Sequence, residues 1–172
     1  MQDMAMAYAV SKEKKRETIT EMITKLCVSG VNAIVKNEER LQQIRSLFDL
    51  DGITVFSDRG NRLVCRNGNY MAEAPDGRLG FEDEGYLSLF GDDDIFVESN
   101  MIKLRSQNPA AYAVTQEQEV GAALQCLSRK EGIPYTMVSF EVFNRNRKWS
   151  DKDVTLLTLL GHCIGDLLNY SE

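Results

Sequence analysis

The chain has one histidine, His162, among its 172 residues, which works against a dedicated zinc site. Its four cysteines, Cys27, Cys65, Cys126 and Cys163, do not replace the missing histidines, because none belongs to a Cys-x-x-Cys pair. They read as reduced, buried thiols. Long hydrophobic runs are also missing. Nothing approaches the ~20 apolar residues that span a bilayer, and the N-terminus has no uninterrupted apolar signal core, so a cytoplasmic location without membrane insertion is expected. An excess of positive charge is absent too. Lys and Arg total 20 against 26 Asp and Glu, and a net charge of -6 opposes binding to nucleic acid or an anionic membrane surface. No internal repeat is present.

What is there suits one globular domain. The chain is 43% hydrophobic and 27% charged, and its length matches a single core of ordinary size. Residues 1–10, with Met4, Met6, Tyr8 and Val10, read as a tail or as the end of an upstream connecting helix, and residues 11–170 as the domain. A helix is expected from about Ser11 to Gly30, where Ile19, Met22, Ile23, Leu26 and Cys27 recur at three- and four-residue steps. Asn37 caps a second helix whose apolar face is Leu41, Ile44, Leu47 and Phe48, and Asp51 and Gly52 end it. Ile53 to Phe56 and Arg62 to Arg66 then read as a hairpin around Asp58 and Gly60.

From Asn69 to Asp94 the pattern breaks up, punctuated by Gly77, Gly80, Gly85 and Gly91, with a brief helix around Tyr86 to Phe90. Such a stretch is either a ligand lid or an acidic insertion. Asp92, Asp93 and Asp94 lack the spacing of a calcium loop and read as a solvated turn. Asn108 and Pro109 start a short helix through Tyr112. Gly121 to Ser128 and Pro134 to Phe143 read as a second hairpin across a tight turn at Arg129 to Gly132. Strands joined by tight turns are antiparallel, so the order of elements points to an α+β domain rather than a doubly wound one.

The last helix, from Ser150 to Leu168, carries the clearest local signals. Ser150 is its N-cap, Asp153 takes the acid position of a capping box, and Trp149 can staple onto Val154. Val154, Leu156, Leu157, Leu159, Leu160, Cys163, Ile164, Leu167 and Leu168 cover about half of its circumference, more than one sheet contact uses. Gly161 and Gly165 each cost about 1 kcal/mol in a helix interior and share one edge, where they permit close approach of another helix. These features suggest a second contact, either with a neighbouring helix of the same chain or with a partner subunit; the partner reading is a homodimer through the terminal helices, with Ile19, Met22, Leu26, Leu157, Gly161, Ile164, Gly165 and Leu168 at the interface. His162 falls on the polar arc and reads as an exposed surface residue, since Cys163 stands where a phosphoacceptor histidine would be followed by an acid.

The run Met137-Val138-Ser139-Phe140-Glu141-Val142-Phe143, followed by Arg147-Lys148-Trp149-Ser150 and Asp153-Val154, resembles the end of GAF domains. There an apolar strand leads into the last helix through an Arg-x-Trp-Ser/Thr-x-x-Glu/Asp-like segment. The likeness in element order extends over Ser11 to Leu168, although the small Gly often found in the last strand is Thr136 or Ser139 in this chain. The resemblance implies a GAF-like (profilin-like) antiparallel sheet with the N- and C-terminal helices packed on one face and a small-molecule pocket on the other. It also implies a non-catalytic sensor domain of a bacterial signalling protein. The Trp149-Ser150 lead-in looks most like GAF domains attached to diguanylate cyclases or other cyclic di-GMP enzymes, although no Gly-Gly-Asp-Glu-Phe or Glu-Ala-Leu motif is present.

No cofactor is expected. The Asn-Lys pair and Phe-x-x-x-Asp-Glu pattern of cyclic-nucleotide-binding members are missing, and the His162-Cys163 pair lies on the outgoing helix rather than where a bilin would be attached. An unidentified small molecule remains, and Phe96, Met101, Leu104, Arg105 and Tyr112 are the candidate pocket residues because they flank the irregular middle and combine apolar walls with one cation. The alternative for the aromatic and aliphatic members is plain core. Two other functions stay open. One is a GAF-type free methionine sulfoxide reductase using Cys65 and Cys126, and the other a structural dimerisation spacer without a ligand.

Overall fold

A computed structural model describes residues 38–57, 63–66, 69–71 and 84–170, together with Met6 and Glu21, both helical; side chains are described for residues 6, 21, 42–56 and 84–166. The expected Ser11–Gly30 helix, apart from Glu21, lies outside the described residues, and so do Ile19, Met22, Leu26 and the side chain of Leu168. The elements run α1 (Glu38–Leu47), β1 (Gly52–Ser57), β2 (Leu63–Arg66), β3 (Asn69–Met71), α2 (Glu84–Leu87) and β4 (Ile95–Glu98). A 3-10 turn at Met101–Lys103 then leads into α3 (Leu104–Gln107), α4 (Pro109–Glu117), β5 (Val120–Lys130), β6 (Ile133–Phe143) and α5 (Asp151–Tyr170).

The strands form one sheet in the order β3-β2-β1-β6-β5-β4, and every neighbouring pair is antiparallel. The expected α+β antiparallel fold is therefore observed. Strand β5 runs two residues further into the turn than the pattern suggested, to Lys130, and β6 begins one residue earlier, at Ile133. Glu131 and Gly132 both take positive φ, 53° and 80°, as a two-residue hairpin turn requires, and a register shift between Ser128 and Arg129 absorbs the extra length. Helix α4 continues past Tyr112 to Glu117, with the Asn108 side chain accepting from Ala111 N–H at 3.0 Å as its cap.

Period-two alternation along the strands sorts the core into two layers. Ile53 and Val55 of β1, Ala122, Leu124 and Cys126 of β5, and Val138, Phe140 and Val142 of β6 face α1 and α5, where they pack with Ile44, Phe48, Trp149, Leu157, Leu160 and Ile164. Ala123, Leu127, Met137 and Phe143 face the other way, toward Tyr86, Phe90, Phe96, Met101 and Leu104.

Helix α5 starts as its sequence suggests. The Ser150 hydroxyl accepts from Asp153 N–H at 3.1 Å. The Asp153 carboxylate is held by Arg147 at 3.1 Å. Arg147 also donates to the carbonyls of Phe48 (2.7 Å) and Asp49 (2.9 Å), and its guanidinium lies 4.4 Å from the Trp149 ring centre. Those carbonyls belong to the end of α1, where Asp49 is left-handed (φ 52°) and Leu50 N–H reaches back to Arg45 O at 2.9 Å. The Trp149 indole donates to Glu98 O at 3.2 Å, tying the same corner to β4.

Gly161 and Gly165 serve a different neighbour from the one expected. A Cβ on Gly161 would lie 2.5 Å from Cys126 Sγ and 2.8 Å from Cys126 Cβ, and one on Gly165 would lie 2.8 Å from Ser128 Cβ. Both glycines let α5 sit directly on β5 of its own chain. Leu157, Gly161, Ile164 and Gly165 are thus buried against the sheet, which removes them as contacts for a partner helix. Leu159, on the opposite side of α5, is 50% exposed, and His162 is half-buried rather than exposed. Among the described residues no helix is long and apolar enough to cross a membrane.

Candidate functional site

The sheet face opposite α5 carries polar side chains where packing alone would place apolar ones. Cross-strand register sets them in two adjacent rows. Thr54 of β1 pairs with Ser139 of β6, Ser139 with Gln125 of β5, and Gln125 with Phe96 of β4. One step along, Gly52 pairs with Glu141, Glu141 with Ala123, and Ala123 with Glu98. Thr54, Gln125, Ser139 and Glu141 are all buried. A desolvated polar group costs stability unless it is hydrogen-bonded, and these are linked to one another. Thr54 Oγ1 donates to Glu141 Oε2 at 3.2 Å, and Gln125 Nε2 donates to Ser139 Oγ at 3.1 Å. The Tyr86 hydroxyl, arriving from α2, donates to Gln125 Oε1. Burial, more than the nearby Glu141 charge, raises the Tyr86 phenol above its ordinary value, so it stays a donor at neutral pH.

Aromatic rings wall this polar group. Tyr86, Phe90 and Phe96 form a mutual cluster with ring centres 5.9 to 6.4 Å apart, two of the three contacts being edge-to-face. Of the residues singled out from the sequence, Phe96, Met101 and Leu104 are buried in this layer and Tyr112 packs against it. Arg105 does not join them. It is exposed, because α3 is a single turn whose inner position is taken by Leu104. The central polar side chains went unnoticed in the sequence, although a signal exists. Gln125, Ser139 and Glu141 sit at one parity of two long strands whose other parity is almost uninterruptedly apolar.

The cysteines fall elsewhere. Cys126 points to the α5 layer, and burial pushes its thiol up to about 12, against 9.0 for an ordinary thiol. Cys65 lies in β2, three strands away from β5. At about 4.8 Å per strand, that places the two backbones roughly 14 Å apart, well beyond the ~7 Å limit for a disulfide. The geometry does not bring Cys65 and Cys126 together as a redox pair. Asp94 is ion-paired with Arg129 at 2.9 Å rather than merely solvated, while Asp92 and Asp93 are exposed. Among the described residues no group of His, Cys, Asp or Glu could hold a metal ion.

No family model matches the sequence, and no curated protein matches it. Solved structures do. The fold is similar to the chromophore-binding domain of Stigmatella aurantiaca bacteriophytochrome, with a TM-score of 0.67 at 13% identity; the match covers 92% of this chain and 60% of that one. It is also similar to the GAF domain of an Acinetobacter phosphoenolpyruvate-protein phosphotransferase (TM-score 0.64, 11% identity, 92% of this chain and 94% of that one). A third similar structure is the PixJ GAF domain of Thermosynechococcus elongatus in its blue-light absorbing form (TM-score 0.56, 11% identity, 79% and 87%). The two long central strands, the terminal helix on one face and the polar row on the other thus stand on the fold of GAF domains.

Proposed function

We propose that this chain is a sensory domain which binds a small molecule on the sheet face opposite α5 and passes its occupancy to the terminal helices. The observation that carries the reading is the buried Thr54–Ser139–Gln125 row with Glu141 beside it, at the centre of a face walled by aromatic rings. Glu141 carries the desolvation cost of a carboxylate buried in the middle of this face. Strand β5 offers the route outward, since Gln125 faces the site while its neighbour Cys126 touches α5 at Gly161. The phytochrome neighbour is named as a chromophore-binding domain, which supports small-molecule binding on this fold. The likeness of Trp149-Ser150 to GAF domains upstream of diguanylate cyclases favours a cyclic di-GMP output domain in a bacterial, cytoplasmic signalling protein.

The test is thermal unfolding of the chain against a metabolite panel, run beside Ser139→Leu, which fills the centre of the face, with far-UV circular dichroism to confirm folding. A ligand that raises the wild-type midpoint and fails to raise that of folded Ser139→Leu is expected. A panel without any stabiliser, or stabilisation untouched by Ser139→Leu, would overturn the reading and favour a spacer without a ligand. The exposure of Leu159, with Leu156 and Cys163 half-buried beside it at heptad spacing, favours homodimerisation through the outer side of α5. Sedimentation of the wild type and Leu159→Glu checks this, with dimer lost in the variant as the expected outcome and a strictly monomeric wild type as the contrary one.

A further inference from the structure

The polar row is shut off from solvent. Thr54, Gln125, Ser139 and Glu141 are each 6% exposed or less, so a molecule that reaches them needs an opening in what covers them. The sheet cannot part there, because β1, β6 and β5 are joined by unbroken antiparallel ladders through these residues. Above Gln125 the cover is α2 with the bend that follows it. Tyr86 places its hydroxyl on Gln125 Oε1, and the Phe90 ring packs against both Tyr86 and Phe96.

The two ends of this cover are secured in different ways. After Phe90 the chain is fastened to the sheet: Gly91 N–H donates to Ile95 O at 3.1 Å, and Leu127 N–H of β5 donates to Asp94 O at 2.8 Å. The Asp94 carboxylate is also paired with Arg129 at 2.9 Å. From Glu84 to Phe90 the described backbone bonds are all internal, with Ser88 N–H reaching Glu84 O at 2.9 Å, Leu89 N–H reaching Tyr86 O at 3.0 Å and Phe90 N–H reaching Leu87 O at 3.2 Å. One isolated helical turn does not persist in water without packing. The inward side chains, Tyr86 and Phe90 foremost, therefore set where this segment lies, while Glu84, Gly85 and Ser88 face solvent.

We propose that Glu84–Phe90 is a lid over the polar row, hinged at Gly91 and latched by the Tyr86 hydroxyl on Gln125, and that ligands enter and leave the face through it. Opening moves the Tyr86 and Phe90 rings into water, which keeps the shut form dominant, while the ladders of β1, β6 and β5 stay intact. The proposal rests on the reading of this face as a ligand site, but the opening itself needs no ligand.

Amide hydrogen exchange and one added thiol test it on the full chain. The amides of Ser88, Leu89 and Phe90 are expected to exchange through an opening insensitive to low urea, whereas those of Leu124 and Phe140 accelerate with urea as global unfolding does. Tyr86→Phe, which keeps the ring and removes the hydroxyl, should speed the lid amides by about fivefold to tenfold, the worth of one hydrogen bond. In Ser139→Cys the added thiol, measured against the parent chain, should react with an aromatic disulfide reagent at a rate equally insensitive to low urea. Combining it with Tyr86→Phe should speed that reaction by the same factor. Lid amides that share the urea dependence of Leu124 and Phe140 overturn the lid. Rates unchanged by Tyr86→Phe overturn the latch, and a Ser139→Cys thiol that reacts only through global unfolding overturns the lid as the entrance. None of these readings uses a ligand, so a metabolite panel without a stabiliser overturns the ligand site and leaves the opening of the lid standing.

Discussion

Replacing Gly161 by Ala distinguishes a glycine that faces its own sheet from one that faces a partner helix. On propensity alone the change stabilises α5 by about 1 kcal/mol. The structure reverses the sign. The added methyl would sit 2.5 Å from Cys126 Sγ, 2.8 Å from Cys126 Cβ and 3.3 Å from the Phe140 ring, three atoms of a fully buried layer. Nonbonded carbon contacts begin near 3.5 Å, so α5 must retreat from β5 by roughly 0.7 to 1 Å along its central turns. Overpacking of this kind costs about 1 to 3 kcal/mol, and contact with backbone-anchored Cβ and sulfur places it at the upper end. Set against the propensity gain, the net loss is about 2 kcal/mol, a drop in midpoint of about 4 to 8 °C for a chain of this length. Urea unfolding at micromolar and sub-micromolar chain measures it. An equal loss at both concentrations is expected; a stabilised Gly161→Ala, or an effect seen only where dimer forms, would refute the packing argument.

Three further outcomes follow from the same geometry. Arg147→Met should cost about 2 to 4 kcal/mol in urea unfolding, because the Phe48 and Asp49 carbonyls and Asp153 lose their donor together, and Arg147→Lys should restore less than half. Trp149→Phe should cost about 1 kcal/mol, the worth of the indole bond to Glu98 O. The folded chain keeps the Cys126 thiol proton that the unfolded chain releases above 9.0, so stability present below that pH is lost as pH rises toward about 12. At pH 10 the loss is about 1.4 kcal/mol, and Cys126→Ala should flatten this alkaline slope. Native Cys126 should also resist an aromatic disulfide reagent at pH 8; its fast reaction would contradict the burial.

The long elements were legible in the sequence because each carries a repeating signal: the Ser150 cap and apolar stripe of α5, the Asn108-Pro109 start of α4, and the aromatic and β-branched run of β6. Strands β3 and β4 were not. With three and four residues, they are too short for alternation to show, and β4 is recognisable only through its pairing with β5. Arg147 gave no local sign of its role, since its carbonyl partners lie 98 and 99 positions earlier. At the site, nearness to the irregular middle found the apolar wall of Phe96, Met101 and Leu104, but that criterion also selected the exposed Arg105. The polar centre needed the parity of β5 and β6 to be compared across their register, which places Gln125 beside Ser139 and Ala123 beside Glu141.

If this parity marks the working face, amide chemical-shift mapping will show it. Titrating the metabolite that raises the wild-type midpoint into isotope-labelled chain should give the largest shifts at Thr54, Ala123, Gln125, Ser139 and Glu141, with smaller ones at Cys126 and Gly161 where β5 meets α5. Shifts concentrated instead at Leu159, His162 and Asp166 on the outer side of α5, with the central strands unmoved, would contradict it.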